Sequence, residues 1–192
     1  MTTGARRAAA LALALLAALA IAVGLAPASP PPDAAPGPAL LTVSGAVASP
    51  NRGPLDPASD RLFVLNEIAF DRARAFDAAA LAALPQVAIR ADFPRGGPVA
   101  TFTGPKLADV LAAAGAEGAT VTLHAIDGFA LTLPVAELVD RAAVLATARD
   151  GAPLGIGGLG PAQLVFPRAE RSDLAGMNDD WWIGEVFHIA VE

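Results

Sequence analysis

Apolar and polar positions alternate along several stretches of the chain, and this alternation predicts β-strands. The first four are LLTVSGAV (residues 40–47), QVAIRADF (86–93), VATFTG (99–104) and ATVTLHAI (119–126). The Asp127-Gly128 turn and FALTLP (129–134) extend the fourth into a hairpin. Three later strands are predicted in AVLATARDG (143–151), QLVFP (163–167) and EVFHIAVE (185–192). The run DRLFVLNEIAF (60–70) fits a helix or a strand, and its β-branched and aromatic residues favour a strand.

Three other segments have the spacing and the end signals of helices. In FDAAALAALPQ (76–86), Asp77 is a suitable N-cap and Pro85 ends the helix. In GPKLADVLAAAGA (104–116), an apolar stripe precedes Gly115, which is suited to the C-terminal end. The segment VAELVDRA (135–142) predicts a short helix. Short strands with a few helices between them predict a single α+β domain over residues 40–192.

The N-terminal segment has a different composition. Arg6 and Arg7 precede an uncharged Ala/Leu run and the small-residue site Ala26-Pro27-Ala28. This layout predicts a secretory signal peptide over residues 1–28, with a retained membrane anchor as the alternative. Residues 29–39 are rich in proline and predict an extended tether. We therefore expect a periplasmic protein, which is membrane-anchored if the signal is not cleaved.

Charge and composition exclude several kinds of chemistry. The chain has no cysteine, so it has no thiol nucleophile and no thiolate metal ligand. Its net charge of −6 disfavours binding to nucleic acid. His124 and His188 lie in alternating strand patterns without ligand spacing, and we expect them on outer strand faces. The glycine-rich GAPLGIGGLGP (151–161) runs into a strand and lacks the Lys-Ser/Thr of a phosphate loop.

Four segments together resemble the molybdopterin-binding domain of the sulfite oxidase family. The longest, residues 100–138, contains an aromatic-x-Gly motif, a Leu-rich helix that ends in Gly, and an Asp-Gly-aromatic turn. The others are AVLATARDGAPL (143–154), GLGPAQLVFPR (158–168) and WWIGEVFHIAV (181–191). The resemblance implies an α+β fold with mixed, barrel-like β-sheets in one domain.

The resemblance also bears on activity. Catalytic members of the family bind molybdenum through a cysteine on an early loop, and the corresponding position lies near Asp92. A carboxylate does not replace a soft thiolate ligand. The chain therefore resembles the stand-alone, cysteine-free members of the family. Some exported members of that kind bind a free pterin and act on the periplasmic sensor region of a membrane enzyme that makes or breaks cyclic di-GMP.

A pterin presents paired N–H donors on one edge and acceptors on the other, so its pocket needs carboxylates, a cation or backbone N–H groups, and an aromatic plane. Adjacent side chains of a strand face opposite ways, so one indole of Trp181-Trp182 could be buried while the other faces a cleft. The resemblance implies Arg168 and Arg90 as the cations. The predicted pterin-binding residues are Trp181, Trp182, Arg168, Asp127, Asp92, Arg90 and Asp180.

Each of these residues also has a simpler interpretation. The tryptophans are suited to core and rim packing, the aspartates to solvated turns, and Arg168 to a surface charge. At the level of the whole protein, three hypotheses remain. They are a non-catalytic pterin-binding module that signals to a membrane partner, a molybdopterin-dependent oxidoreductase domain without the cysteine ligand, and a domain kept only for protein contact. The first does not require molybdenum.

Overall fold

The computed structural model describes residues 37–192. The predicted signal peptide (1–28) and residues 29–36 of the predicted tether (29–39) lie outside the described residues. Within the described part, no helix is long and apolar enough to cross a membrane.

Eleven strands and four short helices follow one another in the described part of the chain. The strands are β1 Leu41–Gly45, β2 Ala73–Phe76, β3 Gln86–Ala91, β4 Ala100–Pro105, β5 Thr120–Ala125, β6 Ala130–Pro134, β7 Val144–Ala146, β8 Ala148–Arg149, β9 Ala152–Pro153, β10 Gln163–Val165 and β11 Val186–Val191. The helices are α1 Arg61–Leu65, α2 Ala78–Ala82, α3 Leu107–Ala114 and α4 Val135–Asp140. A 3-10 turn covers Ser172–Leu174.

The strands form three sheets. A five-stranded sheet has the order β2-β1-β11-β5-β6, in which β1 and β11 are parallel and the other pairs are antiparallel. A four-stranded antiparallel sheet has the order β3-β4-β8-β9, and β10 pairs with β7. The mixed α+β architecture agrees with the sequence prediction. The barrel-like expectation is not met, because none of these sheets closes on itself within the described residues.

Two local predictions are confirmed by hydrogen bonds. The Asp77 carboxylate accepts a bond of 2.7 Å from the N–H of Ala80 and caps α2. Gly115 ends α3 in the left-handed conformation with φ 62°. One local prediction is wrong, since residues 61–65 form helix α1 and not a strand. Asp60, just before α1, forms an ion pair of 2.6 Å with Arg52, and its carbonyl accepts the N–H groups of Phe63 and Val64.

Gly104, part of the aromatic-x-Gly motif, allows β4 to pass very close to β7. A Cβ atom at this position would lie 2.2 Å from the carbonyl oxygen of Leu145, where no side chain fits. The motif therefore has a packing function, because it brings the four-stranded sheet against β7 and the core.

His188 is buried, in contrast to the expectation of an outer strand face. It lies on β11, in the middle of the five-stranded sheet, with 1% of its surface exposed. Its Nε2 is 2.8 Å from the Ser44 hydroxyl, and its ring is 5.0 Å from that of the half-buried His124. Burial lowers the pKa of His188 to about 3, and the charges of His124 and Arg52 act in the same direction.

We expect Gly104→Ala to lower the free energy of unfolding by about 1–3 kcal/mol or more, because the two backbones must move apart. Urea unfolding measures this. Gly53→Ala is the matched control, since a Cβ at Gly53 has no atom within 4 Å. Equal stability of the two variants would show that β4 and β7 can separate at no cost.

We expect the stability of the protein to fall as the pH is lowered through 6.5, the ordinary pKa of histidine. Below that pH the unfolded chain gains a proton at His188 that the folded protein does not take up, which costs up to about 1.4 kcal/mol per pH unit. Urea unfolding between pH 7 and pH 5 tests this before most carboxylates titrate. The His188→Gln variant should show a smaller slope, and an unchanged slope would contradict the assignment.

Candidate functional site

Arg168 joins two loops that are distant in sequence. It follows β10, and its side chain is only 2% exposed. Its Nε donates to the Asp92 carboxylate at 2.6 Å, and its Nη1 donates to the Asp179 carboxylate and to the Met177 carbonyl, each at 2.8 Å. Its Nη2 donates to the carbonyl oxygen of Asp92. We call this group of contacts the Arg168 clasp. It satisfies four of the five N–H donors of the guanidinium.

The clasp is reinforced by Arg95 and by ionisation of Asp92. The backbone N–H of Arg95 donates to the second Asp179 oxygen at 2.9 Å, and its side chain donates to the Gly176 carbonyl at 3.2 Å. Burial of Asp92 acts to raise its pKa. A hydrogen bond of 2.8 Å from the N–H of Gly96 and the charge of Arg168 outweigh that effect and hold the pKa of Asp92 below its ordinary value.

Trp182 packs against the clasp. Its indole is stacked on Phe93, with ring centroids 5.4 Å apart and planes 8° from parallel. The guanidinium carbon of Arg168 lies 4.4 Å from the centre of the same indole. Only 4% of Trp182 is exposed, and its buried Nε1 N–H has no acceptor among the described residues. Trp182 therefore does not offer a free aromatic face to a ligand.

The two tryptophans differ in environment, but strand alternation is not the reason. They precede β11, in a turn in which the Trp182 N–H donates to the Asp179 carbonyl at 2.9 Å. Trp181 is half-buried, and the guanidinium carbon of Arg141 lies 4.7 Å from the centre of its ring. Trp181 therefore packs under a surface arginine, away from the cavity that Trp182 helps to line.

A cavity of about 340 Å³ opens between the turn after β5 and the segment before β11. This volume is at the small end of the range of ligand pockets, which is about 300–1,000 Å³. We call it the acidic cavity, because four of its lining residues carry carboxylates and none carries a positive charge. Its lining residues are Ala125, Asp127, Phe129, Leu159, Asp179, Asp180, Trp182, Ile183, Gly184 and Glu185.

The acidic cavity brings together three of the predicted residues, namely Asp127, Asp180 and Trp182. Asp92 and Arg168 lie beside it, and they are engaged with each other in the clasp. Arg90 does not line the cavity. Its side chain is exposed on β3, and its backbone N–H donates to the Glu170 carboxylate at 2.8 Å.

The prediction missed Glu185 and Phe129. Glu185 has a left-handed backbone, with φ 55°, which is uncommon for a residue other than glycine. Its N–H donates to the Leu159 carbonyl at 3.0 Å, and its carbonyl accepts from Ile126 at 3.1 Å. These bonds hold Glu185 at the cavity wall. In the sequence it reads as the first residue of a strand, so no pattern marks it as a lining residue.

Comparisons with known proteins identify the family of the chain. Residues 56–172 match the sequence profile of the family described as oxidoreductase molybdopterin binding domain. The chain belongs to this family. It is thus a sulfite-oxidase-type molybdopterin-binding domain, and it has no cysteine. The match ends at residue 172, so the cavity wall from Asp179 to Glu185 lies beyond it.

The fold is also found among solved structures. The crystal structure of the sulfane dehydrogenase SoxCD from Paracoccus pantotrophus is similar with a TM-score of 0.55 and 18% sequence identity. The similarity covers 80% of this chain and 38% of that chain, so this protein spans well under half of the solved one. At this identity the likeness shows the fold alone. No curated protein sequence matches the chain.

We expect Arg168→Ala to lower the free energy of unfolding by about 3 kcal/mol, because Asp92 and Asp179 would be left without their buried partner. Thermal or urea unfolding measures the loss. Arg90→Ala, which removes an exposed arginine, is the matched control and should change stability by less than about 0.5 kcal/mol. Equal losses in the two variants would show that the clasp contributes nothing to folding.

Proposed function

We propose that this protein is a non-catalytic, exported module that binds a pterin in the acidic cavity and reports its occupancy to a membrane-bound partner. The observation that carries the proposal is the composition of the cavity wall. Asp127, Asp180 and Glu185 place carboxylates around a space of about 340 Å³ in a domain of a pterin-binding family. A carboxylate is the natural acceptor for the adjacent amino and ring N–H groups of a pterin.

The chain does not supply the thiolate that binds molybdenum in the catalytic members which it resembles. The chain has no thiolate, and Asp92, near the position where the resemblance places the cysteine, is already engaged. Its two carboxylate oxygens accept hydrogen bonds from Arg168 and from the Gly96 N–H. A metal at Asp92 would have to break the clasp. This supports binding of the organic ring without the metal.

The alternative function is a molybdopterin-dependent oxidoreductase domain that lacks the cysteine ligand. The description of the family as an oxidoreductase domain favours it. In that case the metal would depend on oxygen ligands that do not come from Asp92. Metal content therefore separates the two functions.

Export and signalling rest on different features of the chain. The predicted signal peptide and tether support a periplasmic location. Phe129, at the cavity wall, is 49% exposed, and Ile156 on the loop before β10 is 74% exposed. Single exposed apolar side chains are common on protein surfaces, so the proposed partner rests on the family resemblance and not on these two residues. The sensor region of a membrane enzyme that makes or breaks cyclic di-GMP is the proposed partner.

The experiment is to express the full chain in a host that exports it, recover it from the exported fraction, and measure pterin fluorescence and molybdenum content. We expect a co-purified pterin without stoichiometric metal. Apo protein should then bind added pterin in calorimetry. Glu185→Gln should weaken this binding about tenfold or more, because it removes a charged acceptor at the wall.

Glu117→Gln is the matched control, since Glu117 is exposed and does not line the cavity. It removes the same charge and should leave the affinity unchanged. Stoichiometric molybdenum in the purified protein would favour the oxidoreductase domain. Absence of both pterin and metal, together with no binding of added pterin, would contradict the proposal.

A further inference from the structure

We propose that the acidic cavity selects pterins without a phosphate group and rejects the phosphorylated form that the molybdenum cofactor carries. This inference rests on the proposed function, because it concerns the ligand of the same cavity. It follows from the excess of negative charge at the cavity wall and from the pairing of the adjacent buried Arg168 with two carboxylates.

Three of the four wall carboxylates are not paired with a cation among the described residues. The Asp127 carboxylate accepts the N–H of Phe129 at 2.9 Å, and that of Asp180 accepts the amide of Asn178. The Glu185 carboxylate makes no hydrogen bond to any described residue. Only Asp179 is paired, through the Arg168 clasp. The cavity therefore holds three uncompensated negative charges.

Arg168 is not available to bind a phosphate. It is 2% exposed, and its donors are taken by Asp92, Asp179 and the Met177 carbonyl. The carboxylates of Asp92 and Asp179 are both paired with this single guanidinium. Arg95 does not line the cavity, and one of its side-chain N–H groups donates to the Gly176 carbonyl.

The wall thus distinguishes the two parts of a phosphorylated pterin. The N–H edge of the ring donates to carboxylates and gains charge-assisted hydrogen bonds. A phosphate monoester carries a charge near −2 at neutral pH, and it would lie close to the same three carboxylates. At about 0.1 M salt the screening length is about 10 Å, so the repulsion between the phosphate and these carboxylates acts across the cavity. Phosphate-binding sites need the opposite arrangement, with arginine, lysine or free backbone N–H groups.

Trp182 also lines the cavity, but it is only 4% exposed, and its Nε1 N–H is buried without an acceptor among the described residues. Because this donor is not open to solvent, the charged groups that the wall offers to a ligand are its carboxylates.

The test is calorimetric titration of the full chain, freed of bound ligand, with neopterin and with neopterin monophosphate. We expect neopterin to bind and the monophosphate to bind at least about tenfold more weakly at low salt. In about 1 M NaCl, where the screening length is about 3 Å, the difference should shrink. The double variant Asp180→Asn, Glu185→Gln should also bring the two affinities closer, whereas Glu117→Gln should not.

Each other outcome overturns the inference in a recognisable way. Equal affinity for the two ligands would refute phosphate rejection while pterin binding stands. A difference that persists in high salt and in the double variant would show that the cavity excludes the phosphate by shape and not by charge. Binding of neither ligand would refute the proposed function, and the inference with it.

Discussion

The cavity depends on one buried guanidinium. Arg168 holds the loop after β3 through Asp92 and the loop before β11 through Asp179 and the Met177 carbonyl. Neither loop belongs to a sheet, and the Arg168 side chain connects them. Without this cation two carboxylates would meet with no partner, which is unfavourable in a partly dry environment. The position and the charge of the cavity wall follow from this interaction.

The clasp also explains why the site differs from a metal centre. In a metal site, a loop residue at the position of Asp92 would direct its donor atom towards the ion. Here the Asp92 carboxylate is directed towards Arg168 and the Gly96 N–H. The Trp182 indole packs against both Phe93 and the Arg168 guanidinium. The aromatic residue that could have served as a stacking surface stabilises the clasp instead. What the cavity wall offers to a ligand is therefore mainly carboxylates and apolar side chains.

Much of the fold could be predicted from the sequence, because it is encoded locally. Strand alternation, the Asp77 cap and Gly115 each act within a few residues, and each agrees with the structure. The pattern of residues 60–70 left helix and strand open, and the preference for a strand failed because β-branched and aromatic content is only a weak local signal. The burial of His188 could not be read from β11 alone either. It results from the central position of β11, which only the strand order reveals.

The candidate site was less predictable for the same reason. Residue types indicated which carboxylates were available, and Asp127 and Asp180 do lie at the cavity wall. The sequence does not show whether an arginine is free or paired. Arg168 is paired with Asp92, 76 residues before it, and with Asp179, 11 residues after it. Glu185 was missed because its position at the wall depends on backbone hydrogen bonds to Leu159 and Ile126, which are distant in sequence. Its left-handed backbone, with φ 55°, is likewise not marked by a glycine.

The placement of β11 between β1 and β5 has a further consequence for how the protein is made. β1 and β5 both pair with β11, which follows every other described strand along the chain. A ribosome-bound or truncated product that stops before residue 186 would hold two separate half-sheets, each with an unpaired inner edge. Until β11 is made, those edges can pair with the strands of another chain.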